Sequence, residues 1–289
     1  MAPKHPPFTV ILVCCMISPV SASTPIPRAD RIFFVGNSFT EYLMGGIRDV
    51  LRALYPSSPS DLATPHMDLS EYGINLRAHY NNTNTLNRID SGDYDVVVLQ
   101  DMSSGPVDSH AIFVEYARLL DERIRNAGSR TVLYQTWPLV WKDNYMSEFW
   151  PPLRDAYDAM GEELGAPVVP VGRAFACWDT LHPEIPLFGM ADQHHTSPLG
   201  NYFKSLVFYA CLTGESPVGL TATWVGAGEE YTIAPHIAIE MQQVAFDIVT
   251  EFFFVPAHSA PSTRRHPADR VTVIRKVEGG LIRTAAADT

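Results

Sequence analysis

Arg31-Ile32-Phe33-Phe34-Val35-Gly36-Asn37-Ser38-Phe39-Thr40 opens as a short apolar run, stops on a glycine and passes into small polar residues. Such a run, apolar at successive positions and closed by a turn residue, has the pattern of a strand buried on both faces. The period then changes: Tyr42, Leu43, Ile47, Val50, Leu51 and Leu54 share a face at helical spacing. A helix is therefore predicted over 38–54, ended by the loop Tyr55-Pro56-Ser57-Ser58-Pro59-Ser60.

The same alternation continues down the chain. Tyr94–Leu99 (YDVVVL) is β-branched and apolar, the pattern of a buried strand, and Ala111–Ala127 reads as a helix stopped by Gly128. Thr131–Thr136 (TVLYQT) is the next strand, Met146–Leu164 a helix stopped by Gly165, and Pro167–Gly172 (PVVPVG) a further strand. Pro198–Leu212 and Pro235–Phe254 are apolar enough for helices packed on a core. Repeated strand–helix units predict an α/β fold, a parallel sheet with helices on both faces.

Composition bounds the function. The chain has 289 residues, 46% hydrophobic and 18% charged, which is ample for a packed core. Its formal net charge of −11 argues against a nucleic-acid partner, which calls for a basic face. Residues 1–22 have the form of a signal peptide: Lys4, an apolar run from Phe8 to Ile17 too short for a membrane span, Pro19, then Val20-Ser21-Ala22 as a cleavage site. Cys14 and Cys15 fall inside that run, but Val13 stands where a lipoprotein signal has a small residue, so plain secretion and no stable membrane insertion are expected. A single folded domain is expected over 30–255. The remaining 256–289, small, polar and basic, is expected to be a mobile tail, with one candidate strand at Val271–Ile274. After cleavage Cys177 and Cys211 remain; they can form a disulfide or stay as two buried thiols. Asn81-Asn82-Thr83 is a glycosylation sequon in a eukaryotic host.

Two segments hold groups that do chemistry. Ser38 follows the first strand, at the carboxyl edge where open parallel sheets bind ligands. At the start of a helix it is either a nucleophile whose oxyanion is favoured by the helix terminus or an N-cap. Far downstream, Asp192-Gln193-His194-His195-Thr196-Ser197-Pro198-Leu199-Gly200 places a carboxylate three residues before an imidazole. A serine needs a base, and the base needs a carboxylate to fix its tautomer. A metal site on the two histidines is disfavoured, since adjacent histidines rarely reach one ion and no His-Glu-x-x-His pattern is present.

Gly36-Asn37-Ser38-Phe39-Thr40 resembles the nucleophile block of the SGNH/GDSL hydrolases, in the branch with Gly-Asn-Ser in place of Gly-Asp-Ser. Asp192-x-x-His195 with Ser197 and Gly200 resembles that superfamily's last block, Asp-x-x-His-Pro-Ser-x-x-Gly. The resemblance covers about 31–214. It implies a three-layer α/β/α sandwich with a short, flavodoxin-like parallel sheet, Ser38 as nucleophile, His195 as base and Asp192 as its orienting carboxylate. It also implies an oxyanion hole from the Ser38 amide, Gly73 after the second strand, and an asparagine after the third. The third block here is Leu99-Gln100-Asp101, so the usual Gly-x-Asn is absent and Gln100 is the candidate donor. His194 competes with His195, and Trp137, Trp141, Tyr145 and Trp150 form a candidate aromatic platform, with Trp178 and His182 nearby. The expectation is a secreted serine esterase needing no cofactor or metal, acting on a small-molecule or polysaccharide ester, with carbohydrate O-acetyl esters a candidate. The alternative is a catalytically inactive binding protein on the same fold.

Overall fold

Phe33 and Phe34 are adjacent on a strand, so their rings face opposite sides of the sheet, and they show where the two helical layers lie. Phe34 meets Phe208 edge-on at 5.7 Å, whereas Phe33 stacks on Tyr94 at 4.9 Å with the Arg88 guanidinium over its ring. The computed structural model describes residue 26 and residues 28–42, 45–60, 62–70, 74–140, 142–189, 193 and 195–254.

Five strands make the main sheet: β1 (Arg31–Val35), β2 (His66–Leu69), β3 (Val96–Leu99), β4 (Arg130–Tyr134) and β5 (Val168–Val169). They run parallel in the order β2-β1-β3-β4-β5, the flavodoxin-like order, with Ile32 level with Val96 and Val96 level with Arg130. The helices are α1 (Ile47–Leu54), α2 (Leu76–Tyr80), α3 (Thr83–Asp90), α4 (His110–Asn126), α5 (Trp150–Leu164), α6 (Val171–Leu181), α7 (Pro198–Thr213) and α8 (Pro235–Phe254). α4 packs against α2, α3 and α5, while α7 packs against α1, α6 and α8. The expected α/β/α sandwich is what the chain forms. An antiparallel ribbon, β6 (Thr223–Gly226) with β7 (Glu229–Thr232), lies against α1.

Helix α7 is enclosed more completely than the others. Every residue from Gly200 to Leu212 is buried, with α1, α6 and α8 packed around the helix. Two expectations are corrected. The helix expected from Ser38 begins only at Ile47; Ser38–Thr40 is a turn, and Glu41–Tyr42 pairs with Gly45–Gly46. Gly45 and Gly46 are poor helix formers, and Gly46 is extended at φ −141°, so the helix starts after them. The segment expected as a strand over Pro167–Gly172 gives two strand residues and then α6. β2 had no periodic signal of its own. Cys177 and Cys211 are both buried, and no disulfide joins them. The expected signal peptide, the expected tail and its candidate strand at Val271–Ile274 lie outside the described residues.

Asp101 follows β3 and is almost wholly buried. Its Oδ1 accepts the first amide of α2, that of Leu76, at 2.9 Å. Burial pushes its pKa up from 3.8 to about 6, against the pull of hydrogen bonds from the amides of Leu76 and Met102. A folded-state value above the unfolded one means stability that is present at low pH and lost as pH rises through about 4 to 6. Asp101→Asn keeps an acceptor and removes the titration. Its stability relative to wild type is expected to rise between pH 4 and 6 and to stay level above, checked by denaturant midpoints across that range.

Candidate active site

Each residue of the Gly36–Thr40 turn is fixed by a separate contact. A Cβ on Gly36 would lie 2.5 Å from Thr40 Oγ1 and 2.8 Å from Gln100 Oε1, so only glycine fits. The Asn37 Oδ1 accepts the Phe39 amide at 2.9 Å, an Asx turn, and its Nδ2 donates to the Ile74 carbonyl at 2.9 Å. Phe39 is buried and stacks on Trp137 at 4.1 Å. Thr40 donates its hydroxyl to Gln100 Oε1 at 3.0 Å.

Ser38 stands at the crest, half-buried, with its Oγ 2.8 Å from His195 Nε2. The two residues are 157 positions apart in sequence. His195 is held on its own loop by short-range pairing. Its carbonyl accepts the Gly189 amide at 2.9 Å, the Ser197 amide donates to the Leu187 carbonyl at 2.9 Å, and Phe188 bridges Thr196. Gln193 takes a left-handed conformation, φ 51°, unusual for a residue with a side chain and a mark of a forced turn.

The rest of that sequence block starts α7. Ser197 is its N-cap, accepting the Gly200 amide at 3.3 Å, and Pro198 occupies the first turn. A Cβ on Gly200 would lie 2.2 Å from the Leu187 carbonyl oxygen, which explains the glycine.

The remaining candidates divide. Gln100 is buried, and its carboxamide faces the turn from beneath: Oε1 accepts the Asn37 amide at 3.0 Å as well as Thr40, and Nε2 donates to the Asp101 carbonyl. In this geometry Gln100 braces the Gly36–Thr40 turn rather than presenting a donor above Ser38. Among the described residues the Ser38 amide has no acceptor. Asp192, His194, Gly73 and Trp141 lie outside the described residues. Trp137 and Trp150 are buried in the core, and Trp178 is buried against Phe203, so they form no open platform. Tyr145 donates to Asp179 at 2.6 Å, and His182 pairs with Glu240 and Glu184.

Three supporting residues escaped sequence reading: His79, Tyr134 and Lys204. His79 is buried and its Nε2 lies 2.9 Å from the Gly36 carbonyl; burial lowers its pKa, so the neutral ring donates there. Tyr134 and Lys204 both donate to the Phe39 carbonyl, at 3.3 and 2.8 Å. A lone lysine inside the apolar run Tyr202–Leu212 was the available signal.

A cavity of about 200 Å³ adjoins the turn, lined by Gly36, Asn37, Thr40, Glu41, Leu69 and Ser70, with Phe34 at its base. A larger one, about 350 Å³, lies at the opposite end of β1, beside Asp30, Tyr55 and Phe253. It is remote from the Ser38–His195 pair.

A parallel 2-1-3-4-5 sheet with a serine turn after its first strand and a histidine just ahead of α7 is an arrangement consistent with the SGNH hydrolase fold. Known structures agree: the chain has the SGNH hydrolase fold. It is similar to a protein from Slackia heliotrinireducens assigned to the SGNH hydrolases, at 26% identity and TM-score 0.52, over 64% of this chain and 100% of that one. A DUF4886 family protein from Bacteroides uniformis matches at 17% identity and TM-score 0.55, over 80% of this chain and 98% of that one. An acetyl xylan esterase matches at 14% identity and TM-score 0.50, over 62% and 98%. No family model matches the sequence, and no curated protein matches it.

Gln100→Leu tests the bracing role. It leaves the Asn37 amide and the Thr40 hydroxyl without a buried acceptor, each costing about 1–3 kcal/mol. A clear fall in unfolding free energy is expected together with lower turnover; a purely oxyanion role would lower turnover by ~10²–10³ and leave stability unchanged.

Proposed function

We propose that the protein is a serine ester hydrolase working through an acyl-enzyme. The observation that carries this reading is the 2.8 Å hydrogen bond between His195 Nε2 and Ser38 Oγ at the carboxyl edge of the sheet. His195 takes the Ser38 proton as Oγ attacks the ester carbonyl, then returns it to the leaving alkoxide. Water, deprotonated by the same ring, releases the acid. Asp192, three residues before His195, is assigned the orienting carboxylate by its spacing. The Ser38 amide and Gly73 are assigned to the oxyanion.

Carbohydrate O-acetyl esters are the substrate class proposed, supported by the similarity of the fold to an acetyl xylan esterase. The N-terminal pattern supports export after cleavage at Ala22. Among the described residues no helix is long and apolar enough to cross a membrane. Expression in a secreting host should give a mature chain beginning at Ser23, read by N-terminal sequencing; an intact Met1 in the culture medium would reject the assigned cleavage.

The central test is hydrolysis of p-nitrophenyl acetate through octanoate by wild type and Ser38→Ala. Wild type should prefer acetate, and Ser38→Ala should lose at least ~10³-fold in kcat. Equal rates in both proteins would reject the serine mechanism. Wild type inert to every ester and unlabelled by a fluorophosphonate would favour the binding-protein reading, which the inward-turned Gln100 supports.

A further inference from the structure

Lys204 lies on α7 with its side chain wholly enclosed. Its Nζ donates to the Phe39 carbonyl at 2.8 Å and to Thr196 Oγ1 at 3.1 Å. Phe39 directly follows Ser38 in the chain, and Thr196 directly follows His195. One nitrogen therefore ties the Ser38 turn to the His195 loop, alongside the Ser38–His195 hydrogen bond and the edge-on contact of the Phe39 and His195 rings at 6.2 Å. Thr196 passes the tie on, donating to Asn201 Oδ1 at 2.6 Å one turn up α7. The Trp137 ring that supports Phe39 lies 5.8 Å from the same nitrogen.

The location is costly for such a group. Among the described residues no carboxylate forms an ion pair with Lys204, and burial pulls its pKa down from 10.5 to about 7, with Glu41 opposing weakly from a distance. A methionine or leucine would fill the same volume in the core without desolvating an amine. An amine in that position is explained by the two acceptors it joins.

We propose that Lys204 is a positioning residue for the reaction, a clamp that holds the Ser38 turn and the His195 loop in register through the Phe39 carbonyl and Thr196. This rests on the serine-hydrolase reading above. Without the clamp the pair loses its alignment, and misplacement on the scale of 1 Å costs about 10²-fold in rate. The effect falls on the attack step and leaves substrate binding alone.

Lys204→Met, Thr196→Val and the double variant test this by kcat, KM and the rate of fluorophosphonate labelling of Ser38. Lys204→Met should lose about 10²-fold in kcat and in labelling rate with KM within a factor of two, while its thermal midpoint is unchanged or higher. Thr196→Val should lose less, and the double variant should be no slower than Lys204→Met, because both break one linkage. Full kcat in Lys204→Met, or losses that simply multiply in the double variant, overturns the clamp. Hydrogen exchange of the peptides spanning 36–41 and 193–197 reads the clamp without any substrate. Both should exchange faster in Lys204→Met with the sheet strands unchanged, and unchanged exchange in both overturns it. A wild type inert to esters and phosphonate would overturn the hydrolase reading, and the exchange result would still decide the clamp.

Discussion

The turn that carries Ser38 has left the sheet, and its backbone groups must be satisfied by something other than a neighbouring strand. Buried amides and carbonyls without partners are costly, so the surroundings are organised to supply them. His79 donates to the Gly36 carbonyl, Gln100 accepts the Asn37 amide, and Tyr134 and Lys204 share the Phe39 carbonyl. These four side chains come from α2, the end of β3, the end of β4 and α7. Placing the Ser38 hydroxyl at the edge of this sheet therefore draws on most of the layers around it.

Much of this architecture was legible because it follows from period and punctuation. Runs such as VVVL and RIFFV, buried along almost their whole length, advertise strands covered on both sides, and Gly128 and Gly165 mark helix ends by their left-handed backbone. The Gly-Asn-Ser block and the Ser197-to-Gly200 end of the second block were legible for a second reason: their spacing is set by local turns, the Asx turn of Asn37 and the Ser197 cap of α7, which act over two or three residues.

What sequence did not reveal has long-range causes. The two strand residues of β5 are too few to show a period, and α6 starts within the run that resembles a strand. Gln100 looked like a donor by its position after β3, yet the direction of its carboxamide depends on residues sixty positions away. Trp137 is in the core because Phe39 and Phe175 stack on either side of it, a meeting of three separate segments. Lys204 stands out in its apolar helix as an anomaly, but its acceptors become visible only when the chain is folded.

The enclosure of α7 bears on how the protein ages under heat or denaturant. Loops of many proteins come loose well before the body unfolds, since local openings draw on only part of the total stability. Here the histidine loop runs directly into the helix most completely surrounded by others, and that helix also holds the nucleophile turn by one of its side chains. Loss of α7 would therefore release the anchor of the Ser38 turn together with the helix that follows the His195 loop.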